Sequence, residues 1–357
     1  MLTSALDYAL PPDRIATRPA SPRDAARLMV IHLSKDSVSH RTVSDLPTLL
    51  HAGDLFVRNG TAVLAARLEG QRDALPGSSR GGGRVEGIFV SSLPGHRWRV
   101  LLKAGGRLQV GERIWLSPSL WITLLEADDR GWIVEPSSPG SAAALLQGCG
   151  LTPIPPYILK ARRDRGEVVA DADDRQWYQT CFTNSAGAGS VAAPTAGLHL
   201  TPAVDDGLRI AGIETATVTL DVGEGTFRGV ETVQLEDHAM HTEQFHVSKA
   251  AMAQLRGGPG PGGRVISLGT TTARVLESLP ELLPEGSLSG STNLLIAPGH
   301  RWRRVDGLLT NFHLPRSTLL ALVGAIVGMD RLHALYKTAI EERYRFYSYG
   351  DAMLILP

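Results

Sequence analysis

Between positions 309 and 320 the chain reads Leu-Thr-Asn-Phe-His-Leu-Pro-Arg-Ser-Thr-Leu-Leu, which places an amide (Asn311), an imidazole (His313), a guanidinium (Arg316) and a hydroxyl (Ser317) within seven positions. Residues 305–309 read as a short buried strand. Pro315 and the pair Ser317-Thr318 then supply a turn and an N-cap ahead of the apolar run 319–329. His313 is therefore expected at a strand end, beside a helix N-terminus. Open α/β sheets bind ligands at the carboxyl ends of their strands, and helix N-termini attract anions, so these four side chains could converge on one negatively charged substrate. The same residues also allow a plain capped helix with one satisfied histidine.

Three other clusters carry possible chemistry. His238-Ala-Met-His241-Thr-Glu243 sets two imidazoles and a carboxylate within six residues. In a strand His241 and Glu243 would share a face, and the carboxylate could orient the imidazole for acid–base work. Metal binding is the rival, but the H-E-x-x-H spacing is lacking, and a buried polar network is a third option. Gly269-Thr270-Thr271-Thr272, between a strand and a helix, offers N–H groups and hydroxyls to a carboxylate or phosphate. Tyr344-Arg-Phe-Tyr-Ser-Tyr349-Gly-Asp351 could stack a purine while Asp351 accepts from ribose hydroxyls, or could merely close the core. The turn Asp221-Val-Gly223-Glu-Gly-Thr-Phe227 resembles the glycine-rich turn of a Rossmann-type methyltransferase but lacks its third glycine, so it reads as a ligand-lining turn or a plain structural one.

These groups need a scaffold. The 357 residues, 43% hydrophobic and 20% charged, suffice for two domains. Thirty-six basic residues balance 36 acidic ones, so nucleic-acid binding would have to rest on local patches, of which 160–165 and 300–304 are the candidates. Cys149 and Cys181 stand alone, which gives no sign of a disulfide framework, a zinc site or a three-cysteine radical cluster. No secretory signal is visible and the longest apolar run falls short of the ~20 residues of a membrane span, so a soluble cytoplasmic protein is expected.

Strand-like segments at 27–31, 215–223, 264–268 and 353–356, helical segments at 273–279 and 330–344, and a helix opened by Thr201-Pro202 predict an α/β domain. Asn59-Gly60 reads as a hairpin turn between the apolar pieces 55–57 and 63–65. From 69 to 147 the texture changes to short strands at 84–90, 98–102, 113–116, 121–124 and 132–134, divided by Gly, Pro and Asp, with a loop at 76–83 expected to be mobile. That spacing predicts a small antiparallel β-barrel inserted in the α/β domain, with 1–68 and 148–357 forming the catalytic domain.

Taken together these segments resemble the S-adenosylmethionine:tRNA ribosyltransferase-isomerase family of queuosine biosynthesis. The resemblance is carried by Gly189-Ser-Val-Ala-Ala-Pro-Thr-Ala-Gly-Leu-His199, by 238–243, 309–320 and 344–351, and continues through Tyr178-Gln179-Thr180, Pro155-Pro156-Tyr157-Ile158 and the N-terminal arm. It implies an α/β domain interrupted by a β-barrel. The implied reaction moves the ribosyl part of S-adenosylmethionine onto the 7-aminomethyl group of a deazaguanine in tRNA, releases adenine and methionine, and needs no metal. It also implies His199, His238, His241, Glu243 and His313 as the acid–base groups. Arg18, Asn59, Ser190, Thr195, Gly197, Asp221, Gly223, Thr270, Thr271, Asn311, Arg316, Ser317, Tyr349 and Asp351 would contact substrate. The chain departs from the family pattern at Asn59-Gly60-Thr61-Ala62-Val63, where the pattern reads Asn-Asp-Thr-Arg-Val, and at Asp221, where it has histidine. These changes bear on the acceptor more than on S-adenosylmethionine. They leave open a second reading, a paralogue acting on S-adenosylmethionine in small-molecule metabolism without tRNA, and a third, a non-catalytic RNA-binding descendant.

Overall fold

The computed structural model describes residues 1–73, 82–183, 189–223 and 229–357. The strands are β1 (Arg27–His32), β2 (Ser37–Thr42), β3 (Leu55–Asn59), β4 (Arg67–Arg72), β5 (Arg84–Leu93), β6 (Arg97–Ala104), β7 (Arg113–Ser117), β8 (Leu120–Asp128), β9 (Gly131–Pro136), β10 (Glu214–Leu220), β11 (Glu243–Val247), β12 (Val265–Leu268), β13 (Leu288–Thr292), β14 (Gly307–Asn311) and β15 (Ala352–Leu356). The helices are α1 (Leu46–Leu49), α2 (Ala142–Cys149), α3 (Pro156–Asp164), α4 (Asp171–Trp177), α5 (Pro202–Ile210), α6 (Lys249–Gly257), α7 (Thr270–Ser278), α8 (Thr318–Val327) and α9 (Met329–Glu341).

Nine strands form one mixed sheet in the order β13-β11-β10-β3-β12-β14-β15-β1-β2. Its central strands β14 and β15 are buried along their whole length, as expected of apolar runs covered on both faces. Alternation sorts neighbours to opposite cores: Met29, Ile31, Val57 and Ile355 pack on one side of the sheet, and Leu28, Val30, Phe56 and Leu354 on the other. The polar strand β2 forms one edge. Strands β4 to β9 close a barrel in the order β4-β5-β6-β9-β8-β7, filled by Phe89, Trp98, Val100, Ile114, Ile122 and Val134. The architecture is thus an α/β domain with an inserted antiparallel barrel. No single helix among the described residues is long and apolar enough to cross a membrane.

Three expectations need correction. Asn59-Gly60 makes no hairpin: β3 lies between parallel neighbours β10 and β12, and the chain leaves it for the barrel. The Asn59 amide is used across the sheet, donating to Leu220 O (3.0 Å) and accepting from Leu220 N (3.1 Å). His241 does not share a strand face with Glu243, because β11 starts at Glu243 and leaves His241 in the connection before it. Helix α9 stops at Glu341, short of 344, where Arg343 takes a left-handed φ of 61° and turns the chain toward β15. The loop expected at 76–83 lies mostly outside the described residues, as do positions 224–227 of the glycine turn.

Candidate active site

The carboxyl ends of the parallel strands β3, β10, β12 and β14 point the same way, and the segment entering β15 meets them there because β14 and β15 pair antiparallel with Asn311 opposite Ala352. A cleft of about 650 Å³, including its open mouth, lies at this junction, lined among others by Tyr157, Thr195, Thr270, Thr271, Asn311, His313, Ser317, Tyr347 and Ser348. Two helices begin on it. Helix α8 is capped by Ser317, whose hydroxyl accepts from Leu320 N (3.2 Å). Helix α7 starts at Gly269, held at φ 85° with no side-chain cap, so its first N–H groups are left for a ligand. A Cβ at Gly269 would sit in a left-handed backbone that only glycine adopts without strain.

Asn311 organises the floor. Its Oδ1 accepts from Thr195 Oγ1 (3.0 Å), and its Nδ2 faces Tyr347 O (3.1 Å) and His199 Nε2 (3.0 Å). Because Nδ2 can only donate, His199 Nε2 must be the acceptor, which makes His199 a neutral ring with its proton on Nδ1. Burial pushes its pKa down to about 4, in agreement. His199 stands behind Asn311 and does not line the cleft.

His313 does line it, and is only 8% exposed. Its ring Nε2 lies 2.9 Å from Thr310 Oγ1, its peptide N–H donates to Tyr336 Oη (2.9 Å), and its carbonyl accepts from the Tyr8 hydroxyl. The other ring nitrogen, Nδ1, has no partner among the described residues. Burial pushes the His313 pKa down to about 3, so the ring is neutral at physiological pH. Both histidines bind protons more weakly folded than unfolded, so their neutral burial is harmless above the unfolded value near 6.5 and costs stability as pH falls through the window toward 4 and 3. From pH 7 to pH 5 each should remove about 2 kcal/mol. Denaturant melts at the two pH values, with His199→Gln flattening the difference, check this.

The other sequence candidates are spread around the cleft. Ser190 ties its loop to the turn after β10, accepting from Val222 N (2.8 Å) and donating to Ala192 O (2.8 Å). Gly197 packs where a Cβ would come 2.8 Å from Phe182. Glu243 is buried, accepts from Gly223 N (3.2 Å), and forms an ion pair with Arg274 of α7. His238 is half-buried, His241 is exposed, and neither lines the cleft. Tyr349 and Asp351 lie beside the cleft and do not line it: Tyr349 packs edge-on against Tyr178, and Asp351 is occupied by Arg345 (3.0 Å) and Arg27 N (3.2 Å). Arg18 is on the surface, 3.7 Å from Glu167. Arg316, exposed and held at φ 53°, has its N–H tied to Leu6 O and its carbonyl to Val230 N (both 2.8 Å), between the lining residues Leu314 and Ser317.

A family profile described as "Queuosine biosynthesis protein" matches residues 3–355. The chain belongs to this family. It is 45% identical over 360 residues to the S-adenosylmethionine:tRNA ribosyltransferase-isomerase of Gloeobacter violaceus, covering 100% of this chain and 96% of that one. It is 42% identical to that of Rhizorhabdus wittichii, with both chains fully covered. The crystal structure of S-adenosylmethionine tRNA ribosyltransferase from Thermotoga maritima matches with a TM-score of 0.54 at 31% identity, covering 99% of this chain and all of the other.

In this queuosine biosynthesis protein Asp221 meets the other departing segment through Thr61, the residue between Gly60 and Ala62 that keeps to the pattern. Thr61 Oγ1 donates to Asp221 Oδ1 (2.9 Å), and Thr61 N is held by the Asn59 side chain (3.1 Å). Burial raises the Asp221 pKa, opposed by the Thr61 hydrogen bond. Sequence reasoning missed five residues of the site, one of them Tyr157 in the first turn of α3, which lines the cleft. Tyr347 and Ser348 line the cleft within a stretch that had been noticed for Tyr349 and Asp351. Tyr8 and Tyr336 clamp the His313 peptide. Tyr347 carries the only available signal of another kind, a φ of 74° rare for an aromatic, and backbone geometry is not written in composition.

Of the two basic runs, 300–304 is spent on structure except for Arg301, which is exposed without an ion pair among the described residues. The buried Glu277 carboxylate accepts from Arg303, Arg304 and Val305 N (3.0, 2.9 and 3.1 Å), while the Arg303 side chain donates to Leu279 O (3.1 Å) just past the end of α7 and that of Arg304 to Glu281 O (3.0 Å) beyond it.

Proposed function

We infer that the protein transfers and isomerises the ribosyl moiety of S-adenosylmethionine onto 7-aminomethyl-7-deazaguanine in tRNA, giving epoxyqueuosine-tRNA and releasing adenine and methionine. The observation that carries this is identity of 45% and 42%, over all of this chain, to relatives named for that activity. The cleft fits the chemistry. The uncapped start of α7, with Thr270 and Thr271, suits the methionine carboxylate, and the sulfonium needs no metal beside it. A base must take a proton next to the sulfonium, and a donor must assist adenine departure. In the cleft His313 is a neutral imidazole and can accept a proton or a hydrogen bond. It cannot serve as a standing imidazolium at neutral pH, and the cationic sulfonium strengthens that. Donors are then hydroxyls that stay protonated: Tyr157, pushed up to about 12 by burial, and Tyr347, pushed higher. We assign His199, Thr195 and Asn311 to positioning, and Ser190, Gly197, Gly223, Asp221 and Asn59 to shaping the loops around the substrate. In this reading the barrel domain expected over 69–147, whose first strand β4 begins two residues earlier at Arg67, is set into a catalytic domain made of the chain on either side, and the enzyme works in the cytoplasm on its tRNA.

Purified protein with labelled S-adenosylmethionine, with and without tRNA carrying the deazaguanine base, tests the reading. Adenine release only with tRNA is expected. Release without RNA would replace this function with the small-molecule reading, and no release under either condition would leave an RNA-binding descendant.

A further inference from the structure

We propose that the exposed face of α3, carrying Lys160 and Arg163, together with Arg67 at the start of the barrel, is the surface that grips the sugar-phosphate backbone of the RNA beside the cleft. The inference rests on tRNA being the acceptor. Helix α3 begins at the cleft, where Tyr157 in its first turn lines the wall. Its inner face buries Ile158, Ala161 and Arg162, which leaves Lys160 and Arg163, three apart, as neighbours on the outside. Arg163 lies six residues beyond Tyr157, roughly 9 Å along the helix axis. There it lines an open groove between α3 and the barrel whose far wall is Arg67.

The groove's lining sets three arginines (Arg67, Arg162 and Arg163) against three acids, so what matters is which of the charges are left without a partner. Its three acids are already taken. Asp174 is held bidentately by Arg162 (2.6 and 2.8 Å), Asp171 by Arg175 (2.6 Å) and Thr152 N (2.7 Å), and Glu167 by Thr17 (2.7 Å). Lys160 and Arg163 form no ion pair among the described residues. Arg67 is ion-paired with Glu69 (3.6 Å). Asp164, the last residue of α3, is an exposed acid beside Arg163. The cations left without an ion pair, Lys160 and Arg163, are exposed on the helix that begins at the cleft. Phosphate oxygens are the natural acceptors for exposed cations of this kind. Basic run 160–165 thus divides: Arg162 faces inward to Asp174 and the Thr17 carbonyl, Arg165 binds the carbonyls of Pro12 and Ile15, and the remaining two cations face solvent. Contacts of this kind set affinity and register on the RNA and leave the chemical step alone.

The test is steady-state kinetics with tRNA and S-adenosylmethionine over a range of salt, comparing wild type with Lys160→Ala/Arg163→Ala and with Arg67→Ala. For the double variant the KM for tRNA should rise about tenfold at moderate salt, and the slope of log affinity against log salt should fall by about 2, near 0.9 per lost phosphate contact. The kcat and the KM for S-adenosylmethionine should stay at wild type, and Arg163→Lys should keep most of the tRNA affinity. Lys160 and Arg163 are exposed, so an unchanged melting temperature confirms that the double variant is folded. A wild-type tRNA KM and salt slope in both variants would overturn the proposal. Failure of the function itself shows differently, as adenine release that ignores tRNA in the wild type.

Discussion

His313→Ala is expected to lower turnover by about 10²–10⁴-fold, the usual contribution of a positioned acid–base group, while changing the KM for S-adenosylmethionine little. The structure gives a reason to read such a loss as chemistry. The loop that carries His313 is fixed through its peptide, by Tyr336 at N–H and by Tyr8 at the carbonyl, and alanine keeps both bonds. What disappears is the ring, its contact with Thr310 Oγ1 and the unpartnered Nδ1. Losing one side-chain hydrogen bond should lower stability by about 0.5–1.5 kcal/mol, too little to unfold a protein of this size. Single-turnover kinetics with saturating tRNA and a parallel denaturant melt separate the two effects. Turnover near wild type would remove His313 from the mechanism and leave the hydroxyls of Tyr157 and Tyr347 to carry it.

The sequence was informative wherever structure is decided locally. Ser317 and Thr201 cap α8 and α5 as their patterns indicate, accepting from Leu320 and Val204 N, because a cap needs only the three residues after it. The barrel strands were legible for the same reason, each short segment being closed by its own turn. The exception was β4, whose sequence Arg-Leu-Glu-Gly-Gln-Arg holds one buried apolar residue, Leu68, and whose Gly70 is needed where a Cβ would stand 2.6 Å from Trp115 O across the pair. Distant pairing defeated the rest. Asn59-Gly60 carries a strong local turn signal, yet a parallel neighbour 160 residues on captures the Asn59 side chain and the chain runs straight. In 344–351 the types were right for a site, but which side chain faces the cleft depends on the left-handed Tyr347, so the choice of Tyr349 and Asp351 over Tyr347 and Ser348 could not be corrected from spacing alone.

Glu243 shows the same limit from the side of energetics, and it yields the largest expected change in stability. Read as a partner for His241, it would tune a base; in the fold it is buried against Arg274 of α7, with Gly223 N on its other oxygen. Arg274 gives Nε to Leu294 O (3.0 Å) and keeps Nη2 buried with no partner among the described residues, so Glu243 is its charge partner. Removing one member of such a pair leaves the other charge desolvated and uncompensated. Glu243→Ala should therefore destabilise the protein by about 3–5 kcal/mol, seen as a fall in the denaturant midpoint at unchanged slope. Replacing both partners, Glu243→Ala with Arg274→Leu, should recover much of that loss, since the cost lies in the stranded cation more than in the missing attraction. The pair joins the turn after β10 to the helix whose N-terminus opens on the cleft, so the single variant should also raise the KM for S-adenosylmethionine, and the double variant should keep that defect because Gly223 N remains untied. If instead Glu243→Ala melts like wild type and loses only turnover, Glu243 acts on the reaction directly, and its place beside Arg274 is a resting arrangement that substrate rearranges.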